Sequence, residues 1–153
     1  MGTYNLTKGD TAIANLDFHR MFCARIPIVV ADIIAGNATL TAAAKITAAD
    51  VIQLWDVPAG TVLYPCFAFL RIVVAGTAAG TVNIGIGGST EMFSGVAIDS
   101  TAGTIHSVED SATWGTDNYG GYEFETTDTI DCTFVADETI GSFLLFIPGC
   151  VSD

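Results

Sequence analysis

The segment VIQLWDVPAGTVLYPCFAFLRIVVAG, residues 51–76, decides the fold class of this chain. Its first seven residues alternate between two faces with a period of two, which is the spacing of a β-strand. Pro58 and Gly60 then mark a turn. Residues 62–74 follow as a run that would be apolar on both faces if it were extended throughout. Because such a strand must be covered on both sides, we expect it to pack against a second sheet or another subunit.

The same strand pattern occurs on both sides of this segment. In FCARIPIVV, residues 22–30, apolar side chains recur at every second position, and Pro27 favours an edge strand or a bulge. Three further segments predict strands: TVNIGIGG (81–88), TIDCTFV (129–135) and FLLFIPG (143–149). The Ala/Thr-rich segment 36–50 allows one short helix around residues 41–48.

These strands and turns predict an all-β protein. With 153 residues the chain is long enough for one domain with its own core. We expect a single-domain antiparallel β-sandwich or jelly roll over residues 21–153, with long Gly/Ser/Thr-rich loops between residues 89 and 128. Residues 1–20 are polar and lack a clear period, so they are interpreted as an N-terminal arm.

The charge is divided unevenly along the chain. The net charge is −12, yet all five basic residues precede residue 72, and the twelve acids after that point have no basic counterpart. Such a chain repels nucleic acid, because binding it requires Lys and Arg on the phosphates. No apolar run is long enough to span a bilayer, and residues 1–10 lack the apolar core of a secretory signal. We therefore expect no nucleic-acid partner, no membrane partner and folding in the cytoplasm.

The sequence contains no recognisable catalytic or metal-binding motif. His19 and His106 are the only histidines and neither lies in a known catalytic pattern. The four cysteines have no zinc-type spacing and are interpreted as free thiols, with a pair between Cys132 and Cys150 as the alternative. We expect no catalytic residue, no metal and no cofactor, although the acid-rich loops leave loop-bound calcium as an alternative.

Aromatic residues concentrate in the loop region. Trp114, Tyr119 and Tyr122 are candidates for contact with another subunit or a ligand, since Trp and Tyr are enriched at the centres of interfaces. The alternatives are a small core beneath a long loop and a stacking platform for a sugar ring.

Four segments together resemble small structural proteins of tailed-bacteriophage virions, and the resemblance covers most of the chain. The segments are KGDTAIANLDFHRMF (8–22), AADVIQLWDVPAGTVL (48–63), TVNIGIGG (81–88) and TTDTIDCTFV (126–135). The resemblance implies a non-enzymatic virion protein with a β-sandwich or jelly-roll body. It further implies a capsid decoration (cement) protein that binds the outside of the major capsid lattice as a homotrimer, after synthesis in the host cytoplasm.

The partner implied by this resemblance is the major capsid protein. We expect Phe18, Arg20, Phe22 and Arg25 to form the contact between the arm and the capsid. Arg71, the last base of the chain, should reach the rim of its strand or pair with an acid. The alternatives are a head-fibre, tail-knob or tail-tip domain that contacts host glycan, and a carbohydrate-binding β-sandwich module.

Overall fold

A computed structural model describes residues 20–86, 90–108 and 121–151, and within them the chain forms two antiparallel β-sheets. The prediction of an all-β sandwich is confirmed. The strands are β1 (Arg20–Val29), β2 (Val51–Val57), β3 (Thr61–Leu63), β4 (Phe69–Val74), β5 (Thr81–Ile86), β6 (Thr90–Ala97), β7 (Ile105–Ser107), β8 (Tyr122–Glu123), β9 (Asp128–Phe134) and β10 (Ser142–Val151). Two short helices, α1 (Val30–Gly36) and α2 (Ala38–Ala43), connect β1 to β2.

The order of the strands is that of a jelly roll. In the first sheet β10 is central: β1 pairs with its whole length on one side, and β4 and β3 pair end to end on the other. Strand β7 pairs with β4 and β8 with β3, while the second sheet has the order β2-β9-β5-β6. Strands β3 and β4 can be counted as one interrupted strand, and β7 and β8 as another. The described residues then form eight strands in two four-stranded sheets, with the nested pairing of a jelly roll.

The core lies between the inner faces of the two sheets. Ala24, Ile26 and Ile28 are buried on one face of β1, as their alternation predicts, and Pro27 lies on the other face of this edge strand. Phe134 of the second sheet and Phe143 of the first are fully buried. Each such side chain contributes about 1.5–3 kcal/mol relative to an exposed position.

The continuous strand predicted for residues 62–74 is wrong, because Pro65 interrupts it. A single turn of 3₁₀ helix, Pro65–Phe67, separates β3 from β4, since proline has no N–H for the sheet. The turn also exchanges the faces: Leu63 is buried before it, whereas Leu70 and Ile72, of opposite parity, are buried after it.

The helix predicted around residues 41–48 begins earlier, and a second helix precedes it. Asn37 determines the start of α2, since its Oδ1 accepts hydrogen bonds from the backbone N–H groups of Thr39 at 3.0 Å and Leu40 at 3.3 Å. Asparagine is among the best residues at this capping position. The helix ends at Ala44, which adopts a left-handed conformation.

At one end of the sandwich, a residue with a buried carboxylate links three of the segments that connect the strands. Glu138, between β9 and β10, exchanges two backbone hydrogen bonds with Ile46, at 2.8 and 2.9 Å, and its Oε2 accepts one from Thr77 N–H at 2.8 Å. A Cβ at Gly80 would lie 1.9 Å from Glu138 Oε1 and 2.9 Å from the backbone oxygen of Thr77, so a larger residue there would displace the buried carboxylate. Glu138 is fully buried, and its Oε1 has no hydrogen-bond partner among the described residues.

Candidate interaction surface

The two sheets carry opposite charge. The strands of the first sheet contain all three arginines of the chain and a single acid, Glu123. The strands of the second sheet contain no base and four acids: Asp56, Glu91, Asp128 and Asp131. The uneven charge of the sequence therefore becomes an uneven charge across the sandwich.

Two rows of residues cross the outer side of the first sheet. In one row the register places Arg25 of β1 beside Phe146 of β10, which is beside Phe69 of β4, followed by Ser107 of β7. The Phe69 and Phe146 rings are stacked, with centroids 4.4 Å apart and planes inclined by 20°. The centre of this outer side is therefore aromatic.

The neighbouring row consists of four residues that lie side by side: Pro27, Leu144, Arg71 and Ile105. Ile105 is 58% exposed, and Val73, two residues beyond Arg71 on β4, is 45% exposed. We call the outer side of β1, β10, β4 and β7, made of these two rows and Val73, the arginine face.

The two arginines of this face are exposed and have no acidic partner in the part of the chain that the structure describes. The ion pair found there joins Lys45 and Asp137, neither of which belongs to the arginine face. The reason is compositional, since β1, β4, β7 and β10 contain no Asp or Glu. Within the described residues, Arg71 thus lies on an apolar sheet without an acidic partner, which was one of its two predicted arrangements.

The outer side of the second sheet, which we call the acidic face, is polar. Asp131 lies between Gln53 of β2 and Gly85 of β5, and its Oδ1 is buried without a hydrogen-bond partner among the described residues. Nearby, Asn83 Oδ1 accepts a hydrogen bond of 2.6 Å from Gly95 N–H, where the pairing of β5 and β6 is irregular. Polar residues predominate on this side, but two exposed valines also belong to it: Val51 at the start of β2 and Val135 directly after β9.

The predicted arm residues have different positions. Phe18 lies outside the described residues, and Arg20 begins β1, although its side chain is not described. Phe22 belongs to the sandwich, because its ring meets the edge of Trp55 at 5.9 Å and 90°. Arg25 is exposed on the arginine face. Of these four residues, only Arg25 has a described side chain that is free to contact another molecule.

Only one of the three aromatic candidates lies within the described residues. Trp114 and Tyr119 lie outside the described residues. Tyr122 is half-buried, and its ring packs edge-on against the buried Phe124 at 5.1 Å. Tyr122 therefore packs against the core, and its contact with another subunit or a ligand stays a prediction.

The titratable side chains of residues 20–86, 90–108 and 121–151 bear on two properties, metal binding and shifts of pKa. No group of three or more His, Cys, Asp or Glu side chains there is arranged to hold a metal ion. All four cysteines are free thiols, and burial raises the pKa of Cys132 strongly. The hydrogen bond between Tyr64 Oη and Cys150 Sγ, 3.4 Å long, raises the pKa of Tyr64.

The central residues of the arginine face are not among the site residues predicted from the sequence. Phe69 belongs to segment 62–74, whose two apolar faces predict cover on both sides, whereas Leu144 and Phe146 belong to a segment predicted only as an apolar strand. Their juxtaposition with Arg25 depends on a register between residues more than 100 positions apart. No helix in the described ranges is long and apolar enough to cross a membrane.

Comparison with known proteins gives similarity in structure alone. No model of a protein family matches the chain, and no curated protein sequence matches it. A chain in the capsid asymmetric unit of cyanophage Pam1 has a TM-score of 0.53 and 13% identity, covering 99% of both chains. A chain in the acidic stable capsid structure of Helicobacter pylori bacteriophage KHP30 has a TM-score of 0.47 and 11% identity, covering 89% of this chain and 92% of that one. The resemblance to phage virion proteins is therefore confirmed at the level of the fold, by a chain from a phage capsid.

Proposed function

We propose that this chain is a non-enzymatic structural protein of a phage virion that decorates the outside of the capsid. The observation that carries the proposal is the jelly-roll fold, which matches a chain of the cyanophage Pam1 capsid over 99% of both chains. The proposed partner is the major capsid protein, and the proposed effect is to stabilise the head.

The surface of the sandwich supports this role. Half of the residues are hydrophobic and 14% are charged, against about 25% charged in an average soluble domain. Large apolar side chains are exposed on the first sheet, including Met21 at 79% and Ile105 at 58%. A protein that covers a shell needs such a surface, because contact with the shell removes it from water.

The proposed oligomer is a homotrimer, and the proposed first contact is the arm, with Phe18 and Arg20. Light scattering on the purified protein measures the native mass and is expected to give three times 15.9 kDa. A monomeric mass at working concentration would contradict the trimer.

Capsid attachment is tested with empty capsids of the parent phage prepared without this protein. The purified protein should sediment with these capsids and add density to their outer surface in cryo-electron microscopy. A variant without residues 2–19 should stay folded and bind more weakly. Density at the tail instead would support the fibre or tail alternative. Glycan binding that is lost in Trp114→Ala, together with no capsid binding, would support the carbohydrate-binding module.

A further inference from the structure

We infer that the arginine face is the surface that lies on the capsid shell, and that it meets an acidic protein surface with an apolar centre. The inference rests on the proposed capsid attachment and adds to it which side of the sandwich faces the shell and what chemistry the shell presents.

The composition of the arginine face is that of an interface centre. Interface centres are enriched in aromatic residues and arginine and depleted of Lys, Asp and Glu. The face has the stacked pair Phe69 and Phe146 between two exposed arginines, and its four strands contain no acid. The exposed side chain of Ile105 extends the apolar area beyond the aromatic pair.

The two arginines determine the charge of the partner. An arginine that is removed from water in an interface needs a carboxylate opposite it, since an unpaired buried charge costs several kcal/mol. Arg25 and Arg71 lie on strands to either side of β10 and in neighbouring rows. Strand geometry separates their Cα atoms by roughly 12 Å. A partner surface with one acid opposite each arginine matches this spacing.

A second copy of this chain does not satisfy these requirements. Two arginine faces packed against each other would bring four arginines together with no acid from β1, β4, β7 or β10. An arginine face packed on the acidic face of the next copy would satisfy the charge. However, the two faces point in opposite directions, so that contact repeats into an open fibre instead of closing. A closed trimer built on other sides of the sandwich leaves the arginine face for a different protein.

Nucleic acid is less favoured as the partner of the two exposed arginines, because the chain as a whole has a net charge of −12 and repels phosphates.

With the arginine face on the shell, the acidic face points to solvent. An outward acidic surface would keep decorated particles apart.

The deciding experiment measures binding to undecorated capsids of the parent phage. The test variant is Arg25→Gln with Arg71→Gln. The control is Gln53→Glu with Ser94→Glu, which makes the same change in net charge at exposed positions of the second sheet. We expect the test variant to lose at least tenfold in affinity and the control to lose less than twofold. Wild-type affinity should fall as salt is raised.

The inference is overturned if the test variant binds within twofold of wild type. If wild type itself fails to bind capsids, the proposed function fails and this inference fails with it. Footprinting of decorated capsids with hydroxyl radicals gives a readout that needs no variant. Val73 and Ile105 should be protected, while Val51 and Val135 stay accessible, and the reverse pattern would place the acidic face on the shell. All four side chains are at least 45% exposed in the free chain.

Discussion

Phe22 lies across from Gly149 in the pairing of β1 with β10, and its ring occupies the space that a side chain at Gly149 would need. A Cβ built at Gly149 would be 2.7 Å from Phe22 Cζ and 2.7 Å from the carbonyl oxygen of Val62. The Phe22 ring also packs edge-to-face with Trp55 of the second sheet, with the ring centroids 5.9 Å apart. The glycine therefore allows one aromatic ring to join the two sheets at their β1 and β2 edges.

Gly149→Ala is expected to lower the free energy of unfolding by about 1–3 kcal/mol, which is typical of overpacking a core. The backbone oxygen of Val62 cannot move aside without disturbing β3. The measurement is equilibrium unfolding in urea. Gly36→Ala is the control, since a Cβ there meets nothing within 4 Å and should leave stability unchanged or raise it by about 0.5 kcal/mol. Equal losses in the two variants would show that the space at Gly149 does not matter.

Local alternation was sufficient to predict the inner faces of several strands. Ile130, Cys132 and Phe134 recur with a period of two and are all buried in β9. Such patterns depend only on neighbours along the chain, and one solvated face makes the alternation visible. The sandwich itself followed from the number of these strands.

The sequence was less informative where one residue changes the geometry. Residues 62–74 are apolar at nearly every position, so their pattern does not show that Pro65 exchanges the faces. For α2, the deciding feature was the Asn37 cap, whereas the Ala/Thr-rich composition predicted a later start. The arginine face required the register of strands that are distant in sequence, which no local pattern contains.

Glu138 is expected to be the acid whose loss costs most stability among those described. Glu138→Ala removes the acceptor of Thr77 N–H in a fully buried place, so we expect a loss of about 1–3 kcal/mol, the cost of leaving a buried donor without a partner. Glu138→Gln keeps an acceptor oxygen and should cost less than half as much. Glu123→Ala, at an exposed position of β8, is the control and should change stability by less than about 0.5 kcal/mol. Equilibrium unfolding in urea measures these losses of stability, and equal losses for the two alanine variants would contradict the prediction.

The stability contributed by Asp137 is expected to depend on pH. The hydrogen bond from Lys45 and that from Ala48 N–H lower the pKa of Asp137 below its ordinary value. A lowered folded pKa favours the folded state above the ordinary Asp value of about 3.9, and the contribution is lost as pH falls toward the folded pKa. An NMR titration of the carboxyl carbon measures this pKa directly. Lys45→Ala should move the titration of Asp137 upward, and an unchanged midpoint would show that Lys45 has no part in it.

The four free cysteines are expected to differ sharply in reactivity. The thiolate is the reactive form, and burial raises the pKa of Cys132 so that this thiol stays protonated at pH 8. Cys23 is exposed on β1, whereas Cys150 is buried. Brief alkylation of the native protein with iodoacetamide, read by peptide mass spectrometry, should label Cys23 first and leave Cys132 and Cys150 unlabelled. Unfolding in urea should make all four reactive, and Cys23→Ser should remove the fast label. If Cys132 were labelled as fast as Cys23, the burial of Cys132 would be contradicted. If two thiols stayed unlabelled in urea until a reductant was added, the result would indicate a disulfide between Cys132 and Cys150.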